Sequence, residues 1–298
     1  MPKPSLGSFP PSVYPFLRVH PVLFHIGAFV VPSYGALAAI GVLLALMLAL
    51  HTARKIHIDP NRIWTLCIIA LFTALIGSRL LLIVANWTVL RRHPLWMLSL
   101  AMIHHPLIAA IGAAIALVIA AVYATASHLP YRATADVLAA PIAIGLAFEQ
   151  IGALLAGSGY GTGAQVPWAI TYTDPLAARW SDAPLGIPVH PVQAYAAFSF
   201  FLIALALVLW LPHRRQNGDL AGLFLIATGV VTYITEFWRD PIGRGALFHG
   251  VLKAPQAAAI ILVVTGAILL LDRPSQHISA APAPIQPAPA TTSEQAHG

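Results

Sequence analysis

Five side chains able to carry charge or hold a ligand interrupt otherwise apolar stretches: Arg79, Asp136, Glu149, Gln150 and Glu236. A charge at the centre of a membrane helix costs about 2.5–3.5 kcal/mol on insertion scales, so such residues usually face a bundle interior or a wet cavity. Each type offers different chemistry. A carboxylate takes up a proton, a guanidinium holds an anion such as phosphate, and an amide bonds either partner. Glu149 and Gln150 are adjacent in "GLAFEQIGALLAGSGYG" (145–161), and Arg79 is a candidate partner for Glu149. Glu236 and Arg239 are spaced i, i+3 on one expected helix face, which allows a local pair. A structural ion pair or a neutral, hydrogen-bonded acid accounts for each of these positions as well as a ligand site does.

Two further stretches bear on chemistry. The run Gly157-Ser158-Gly159-Tyr160-Gly161-Thr162-Gly163 cannot continue a helix cheaply. Its backbone N–H groups could form an anion-binding nest, or the run could be a plain turn leaving the membrane. In "GIPVHPVQAYAAF" (186–198), His190 precedes Pro191 at an expected helix start, with Gln193 and Tyr195 near the same membrane boundary. An interfacial histidine is the ordinary reading of such a position.

The elements that must position these residues are membrane helices. The chain has 298 residues, of which 58% are hydrophobic and 9% charged, and its mean hydropathy is +0.79. A soluble domain carries about 25% charged residues, so this is an integral membrane protein. The net charge of +6 comes from Lys and Arg scattered along connections, with no basic stripe. That pattern suits anionic lipid headgroups better than nucleic acid. The single cysteine, Cys67, excludes an internal disulfide and a multi-cysteine metal site, and in an apolar helix it reads as a small buried hydrophobe.

About 20 mostly apolar residues span a bilayer, and seven such stretches occur, near 30–50, 62–86, 107–126, 135–156, 191–211, 220–238 and 254–271. The third is ill-defined at its start, where His104, His105 and Pro106 interrupt an apolar run. Trp64, Trp87, Trp210 and Trp238 fall at expected helix ends, as interfacial tryptophans do. Residues 1–29 are read as an N-terminal segment without the pattern of a signal peptide. Residues 30–271 are read as the membrane domain, with its extramembrane segment at 157–190 between helices four and five. Residues 272–298 form an Ala/Pro-rich tail expected to be disordered. With the N-terminus outside, seven basic residues fall inside and eight outside, so charge does not set the orientation.

In order and spacing these pieces resemble the bacterial prolipoprotein diacylglyceryl transferase family over about residues 20–270. "HPVLFHIGAFVVPSYGALAAIG" (20–41) is similar to its opening, where a strand-like lead reaches a Tyr-Gly pair, here Tyr34 and Gly35. "IGSRLLLIV" (76–84) resembles its glycine-arginine segment, with Arg79 matching. "PWAITYTDPLAA" (167–178) and "PLGIPVHPVQAYAAF" (184–198) are similar to the region leading into its His-Pro-x-Gln-x-Tyr motif. "GLFLIATGVVTYITEFWRDP" (222–241) resembles its sixth helix, with Glu236 and Arg239 matching, and Gln256 matches a glutamine near the start of its last helix.

The resemblance implies an all-α fold of seven transmembrane helices in the bacterial inner membrane, N-terminus outside and C-terminus cytoplasmic. It implies transfer of diacylglyceryl from phosphatidylglycerol to the cysteine thiol of a prolipoprotein signal segment, with glycerol phosphate released and no cofactor or metal. It implies catalytic roles for His190 and Tyr34. Substrate-binding roles fall to Arg79, Glu149, Gln150, Gly157, Gly161, Gln193, Tyr195, Glu236 and Arg239. The chain also departs from the family's pattern. Glu149-Gln150 stands where Gly-Arg is expected, Ala153 where Asn is expected, Thr232 at a second arginine position, and Ala196 in place of Glu. "HHPLIAAIG" (104–112) replaces a His/Tyr-Gly-Gly element. The alternative to a divergent transferase is a silent member that binds phospholipid or a signal segment. A transporter is disfavoured because the chain shows few intramembrane charges and no inverted repeat.

Overall fold

The computed structural model describes residues 21–26, 29–91, 106–240, 245–247 and 252–272. The chain starts with a hairpin, β1 (Val22–Ile26) and β2 (Phe29–Pro32), and passes directly into α1 (Ser33–Ile56). Then follow α2 (Pro60–Ala85), a single helical turn at Trp87–Leu90, α3 (Pro106–Ala126) and α4 (Tyr131–Ala156). The extramembrane segment holds β3 (Ile170–Thr171), the short α5 (Pro175–Ser181) and β4 (Pro188–Val189). The chain continues with α6 (Val192–Trp210), α7 (Asp219–Thr235), the pair β5 (Ala246–Leu247) and β6 (Leu252–Lys253), and α8 (Ala254–Leu271).

Five described helices, α1, α2, α4, α6 with its 3-10 extension to His213, and α8, are long and apolar enough to cross a membrane. The third and sixth apolar stretches give shorter apolar lengths, Ala110–Ala126 within α3 and Asp219–Thr235 in α7. The protein is therefore a mostly helical, multi-pass membrane protein. The expected disordered tail after Asp272, and His104 and His105, lie outside the described residues.

Helix limits follow local chemistry. α2 opens on Asp59, whose carboxylate accepts from the Asn61 N–H at 2.9 Å, with Pro60 in the first turn. α4 stops at Gly157, which takes φ +79° and donates back to the carbonyls of Ala153 and Leu154. α1 and α4 each outrun their apolar stretch by a turn or more, because polar residues such as Arg54 and Arg132 continue a helix outside the hydrocarbon. In α7 the difference has the opposite sign. The helix ends at Thr235, and Arg239 instead forms an isolated β-bridge with Gly161, so Glu236 and Arg239 do not share a helix face.

α4 is the central helix, packed against α1 on one side and α6 on the other, while α7 pairs with α8 and α2 with α3. Small residues permit these close approaches. A Cβ at Gly41 would lie 2.6 Å from the Phe148 Cβ, and one at Gly229 would lie 2.6 Å from the Ala259 carbonyl. Pro141 inside α4 has no N–H for the Val137 carbonyl. The Thr52 hydroxyl of α1 donates to that carbonyl instead, at 2.8 Å, so the gap in the α4 ladder becomes a joint between the two helices.

Short links reverse the chain between α1 and α2, between α3 and α4, and between α6 and α7. The start of α1, the ends of α2, α4 and α7, and the starts of α6 and α8 consequently gather at one end of the bundle. The opposite end is closed by bonds from side chains to backbone. Asp136, wholly buried, accepts from the N–H groups of Gly218 (2.7 Å) and Ala221 (2.9 Å), and Arg214 reaches it at 3.3 Å. The intramembrane aspartate thus caps the first turn of α7 from a neighbouring helix.

Candidate active site

The first group of site residues is a hydrogen-bonded run crossing three elements. At the start of α1, Tyr34 donates its hydroxyl proton to Glu149 Oε1 at 3.2 Å. The Gln150 amide donates to Glu149 Oε2 at 2.5 Å. Past the end of α7, Arg239 donates to Gln150 Oε1 at 3.3 Å. Arg79 is the candidate partner of Glu149 on sequence grounds, but the Glu149 carboxylate bonds Tyr34 and Gln150, and the nearby cation is Arg239. Arg79 lies on an exposed face of α2 near the same end of the bundle. Gly152 makes the Tyr34 contact possible, since a Cβ there would lie 3.2 Å from the Tyr34 backbone.

A second group is set by the glycine-rich turn. The Thr162 N–H donates to the Trp238 carbonyl (2.8 Å), and the His190 N–H donates to the Thr162 carbonyl (3.0 Å). A Cβ on Gly161 would lie 2.5 Å from the His190 carbonyl, so only glycine lets this strand pass between His190 and Arg239. Gln193 is fully buried and donates to the Ser158 carbonyl at 2.8 Å, tying the turn to the first residues of α6. Tyr172 packs beside it and donates to the Leu154 carbonyl at 3.2 Å. Burial pushes the Tyr172 phenol well above its usual range and keeps it a donor. Within the run, the amides of Gly157, Ser158 and Thr162 donate to backbone carbonyls.

A third group is aromatic. His190 Nδ1 lies 3.4 Å from the Tyr195 hydroxyl, which also accepts from the Trp168 indole N–H at 2.6 Å. The rings of His190, Tyr195 and Trp238 have mutual centroid distances of 6.3–6.5 Å. Trp238 therefore belongs to this cluster as well as to the membrane boundary. Trp168 carried no sequence signal beyond its place in the matched "PWAITYTDPLAA" segment.

Lys253 is a further cation that sequence reading missed. Its ammonium donates to the carbonyls of Glu236 (2.9 Å) and Arg239 (3.4 Å), and Gln256 holds the Lys253 backbone N–H at 3.1 Å. Glu236 is itself buried. This set fixes the turn that presents Arg239 over the end of α4. The signal available in the sequence was the pair of polar residues, Lys253 and Gln256, spaced i, i+3 at the start of an apolar helix.

The polar run adjoins a groove of about 370 Å³ between α1, α2 and α4, walled almost wholly by apolar side chains and reached by Glu149 at one end. Apolar space, then a carboxylate, an amide and a guanidinium is an arrangement suited to an amphiphile with an anionic head.

Comparison with known proteins fits that chemistry. A family model described as "Prolipoprotein diacylglyceryl transferase" matches residues 21–271. The chain belongs to this family. Similar relatives named phosphatidylglycerol–prolipoprotein diacylglyceryl transferase come from Finegoldia magna, Clostridium tetani and Photobacterium profundum. The first is 27% identical over 86% of this chain and 97% of that protein. The second is 26% identical over 85% and 98%. The third is 26% identical over 86% and 94%. In this chain Glu149 and Gln150 are the middle of the run between Tyr34 and Arg239.

Proposed function

We propose that this chain is an inner-membrane diacylglyceryl transferase with seven spanning helices, its N-terminus and residues 157–190 outside and its C-terminus cytoplasmic. Its substrates would be phosphatidylglycerol and the signal-segment cysteine of a prolipoprotein. The observation that carries this reading is the continuous run from Tyr34 through Glu149 and Gln150 to Arg239 at the mouth of an apolar groove.

In the reaction the cysteine sulfur attacks the glycerol carbon that bears the phosphate. A C–S bond forms, the C–O bond to phosphate breaks, and glycerol phosphate leaves with the electron pair. The thiol proton must go to a base, because the thiolate is the nucleophile. His190 is the proposed acceptor, held by Tyr195 and packed on Trp238. Arg239 is the proposed phosphate ligand, and Lys253 steadies the carbonyl of the same residue. Gln150 stands where the family carries arginine and is anchored to Arg239, so its role is to bring that guanidinium to the site. Tyr34 and Gln150 each donate to one Glu149 oxygen, which would limit the repulsion between that carboxylate and the phosphate. Gly157 and Gly161 shape the turn, and Gln193, Tyr195 and Glu236 hold the elements around it. Arg79, at the same end of the bundle, is proposed to meet the lipid headgroup.

A second reading rests on one feature. The Gln150 amide is already engaged at both ends, by Glu149 and Arg239, which suits a member that binds lipid without transferring it. Complementation of a bacterial strain depleted of its own transferase separates the two. Growth with lipidated lipoproteins supports the enzyme. Lipid co-purification without complementation supports the silent binder. Impermeant labelling of cysteines placed at Arg179 and Arg215 tests the orientation, with labelling expected at Arg179 alone.

A further inference from the structure

The groove beside Glu149 has ends defined by three helices. Its lining runs from Ala38 to Ala49 on α1, from Leu71 to Cys67 on α2, and from Glu149 to Leu138 on α4. All three series proceed from the site end toward the closed end of the bundle, and they stop together. Immediately beyond them Thr52, Ala53 and Ile63 are buried and fill the space between the helices. The α1 and α4 series are matched in length, and at the 1.5 Å rise of an α-helix each extends about 16 Å. One leaflet of a ~30 Å hydrocarbon core is about 15 Å deep. The groove is thus about as long as half the hydrocarbon core, polar at its mouth and closed where the apolar stretches of α1 and α4 near their end.

We infer that this groove is a slot for one acyl chain of the phospholipid, and that Ala49, Cys67 and Leu138 form a floor that limits the chain length accepted. The inference rests on the lipid-substrate reading above and adds to it a specificity determinant. A chain lying along α4 would place its glycerol end beside Glu149, with Gln150 and Arg239 one residue and one hydrogen bond farther on. That order matches the order of groups in a phospholipid: tail, glycerol, phosphate. A tail too long for the slot would press on the floor, and a short one would leave the floor exposed to other small molecules.

Cys67 is the single cysteine of the chain, so the native protein carries its own probe at the floor. The full-length protein in detergent is labelled with an apolar maleimide, with added dipalmitoyl or dioctanoyl phosphatidylglycerol. Dipalmitoyl lipid is expected to slow Cys67 labelling about tenfold, and dioctanoyl lipid to leave it near the lipid-free rate, as steric selection in an apolar pocket allows. Competition binding with Cys67→Phe, which raises the floor, is expected to shift preference about tenfold toward shorter acyl chains, whereas Cys67→Ser keeps the native preference. Equal labelling with both lipids overturns the slot, and this outcome needs no variant to fold. The failure modes are distinguishable. Chain-length-dependent protection without lipoprotein modification retains the slot and removes the transferase reading. Modification with chain-length-independent labelling does the reverse.

Discussion

The two ends of the bundle use buried polar groups in opposite ways. At the closed end, Asp136 and Asp219 spend their carboxylate oxygens on backbone N–H groups: Gly218 and Ala221 for the first, Arg215 and Gln216 for the second. Arg132 and Asp272 join the first turn of α4 to the end of α8, and the Arg62 guanidinium donates to the Ser127 carbonyl at 2.8 Å. Those groups finish helix termini. At the site end, Tyr34, Glu149, Gln150 and Arg239 bond one another through side chains, next to open apolar space. Charge alone therefore does not mark a functional residue in a membrane helix. Asp136 and Glu149 are both acids on α4, but the backbone holds one and other side chains hold the other.

The largest effect expected from breaking this contrast is at Asp136. Asp136→Ala leaves two amides and Arg214 without their acceptor, and breaking a buried pair in this way typically costs about 3–5 kcal/mol. Thermal unfolding in detergent should show a large drop in midpoint, and whatever folded fraction remains should bind lipid normally. Arg239→Gln should do the converse. It removes the proposed phosphate ligand, so transfer should fall about 10²–10³-fold, the usual consequence of deleting one oxyanion donor, with the unfolding midpoint nearly unchanged. A smaller joint effect is expected at Gly161→Ala, whose Cβ would meet the His190 carbonyl at 2.5 Å. Overpacking of this kind costs about 1–3 kcal/mol, and because the displaced residue is His190, activity should decline more than stability. The smallest change should come from Asp59→Asn. Its 3.6 Å pair with Arg62 is about half exposed on both sides, and such pairs contribute about 0–1 kcal/mol. Equal stability losses for Asp136→Ala and Arg239→Gln would erase the distinction between the two ends.

Much of the helical framework was legible because hydropathy reports the part of a helix that meets lipid. It does not report where polar turns extend that helix, so α1 runs on through Arg54 and Lys55 and α4 begins at Tyr131. The break after Thr235 was hidden for a related reason. Phe237 and Trp238 are as apolar as a helix would require, yet the chain there turns to bridge Gly161. In the candidate site, Glu149 and Gln150 stood out because they interrupt an apolar run. Their partners did not, since Tyr34 and Arg239 lie 115 and 89 residues away from them and only the tertiary fold brings them together. Asp136 stood out equally and proved structural, because one sequence does not show which backbone amides a carboxylate will reach.

If Gln150 works through Arg239, as proposed, the losses on replacing the two are not additive. A double-mutant cycle on Gln150→Ala and Arg239→Gln, in vesicles holding phosphatidylglycerol and a synthetic prolipoprotein signal peptide, tests it with thioether formation read by mass spectrometry. Expected are transfer by the native chain, a loss for each single variant, and a double variant no worse than Arg239→Gln alone. Additive losses, or a native chain that forms no thioether, would contradict it.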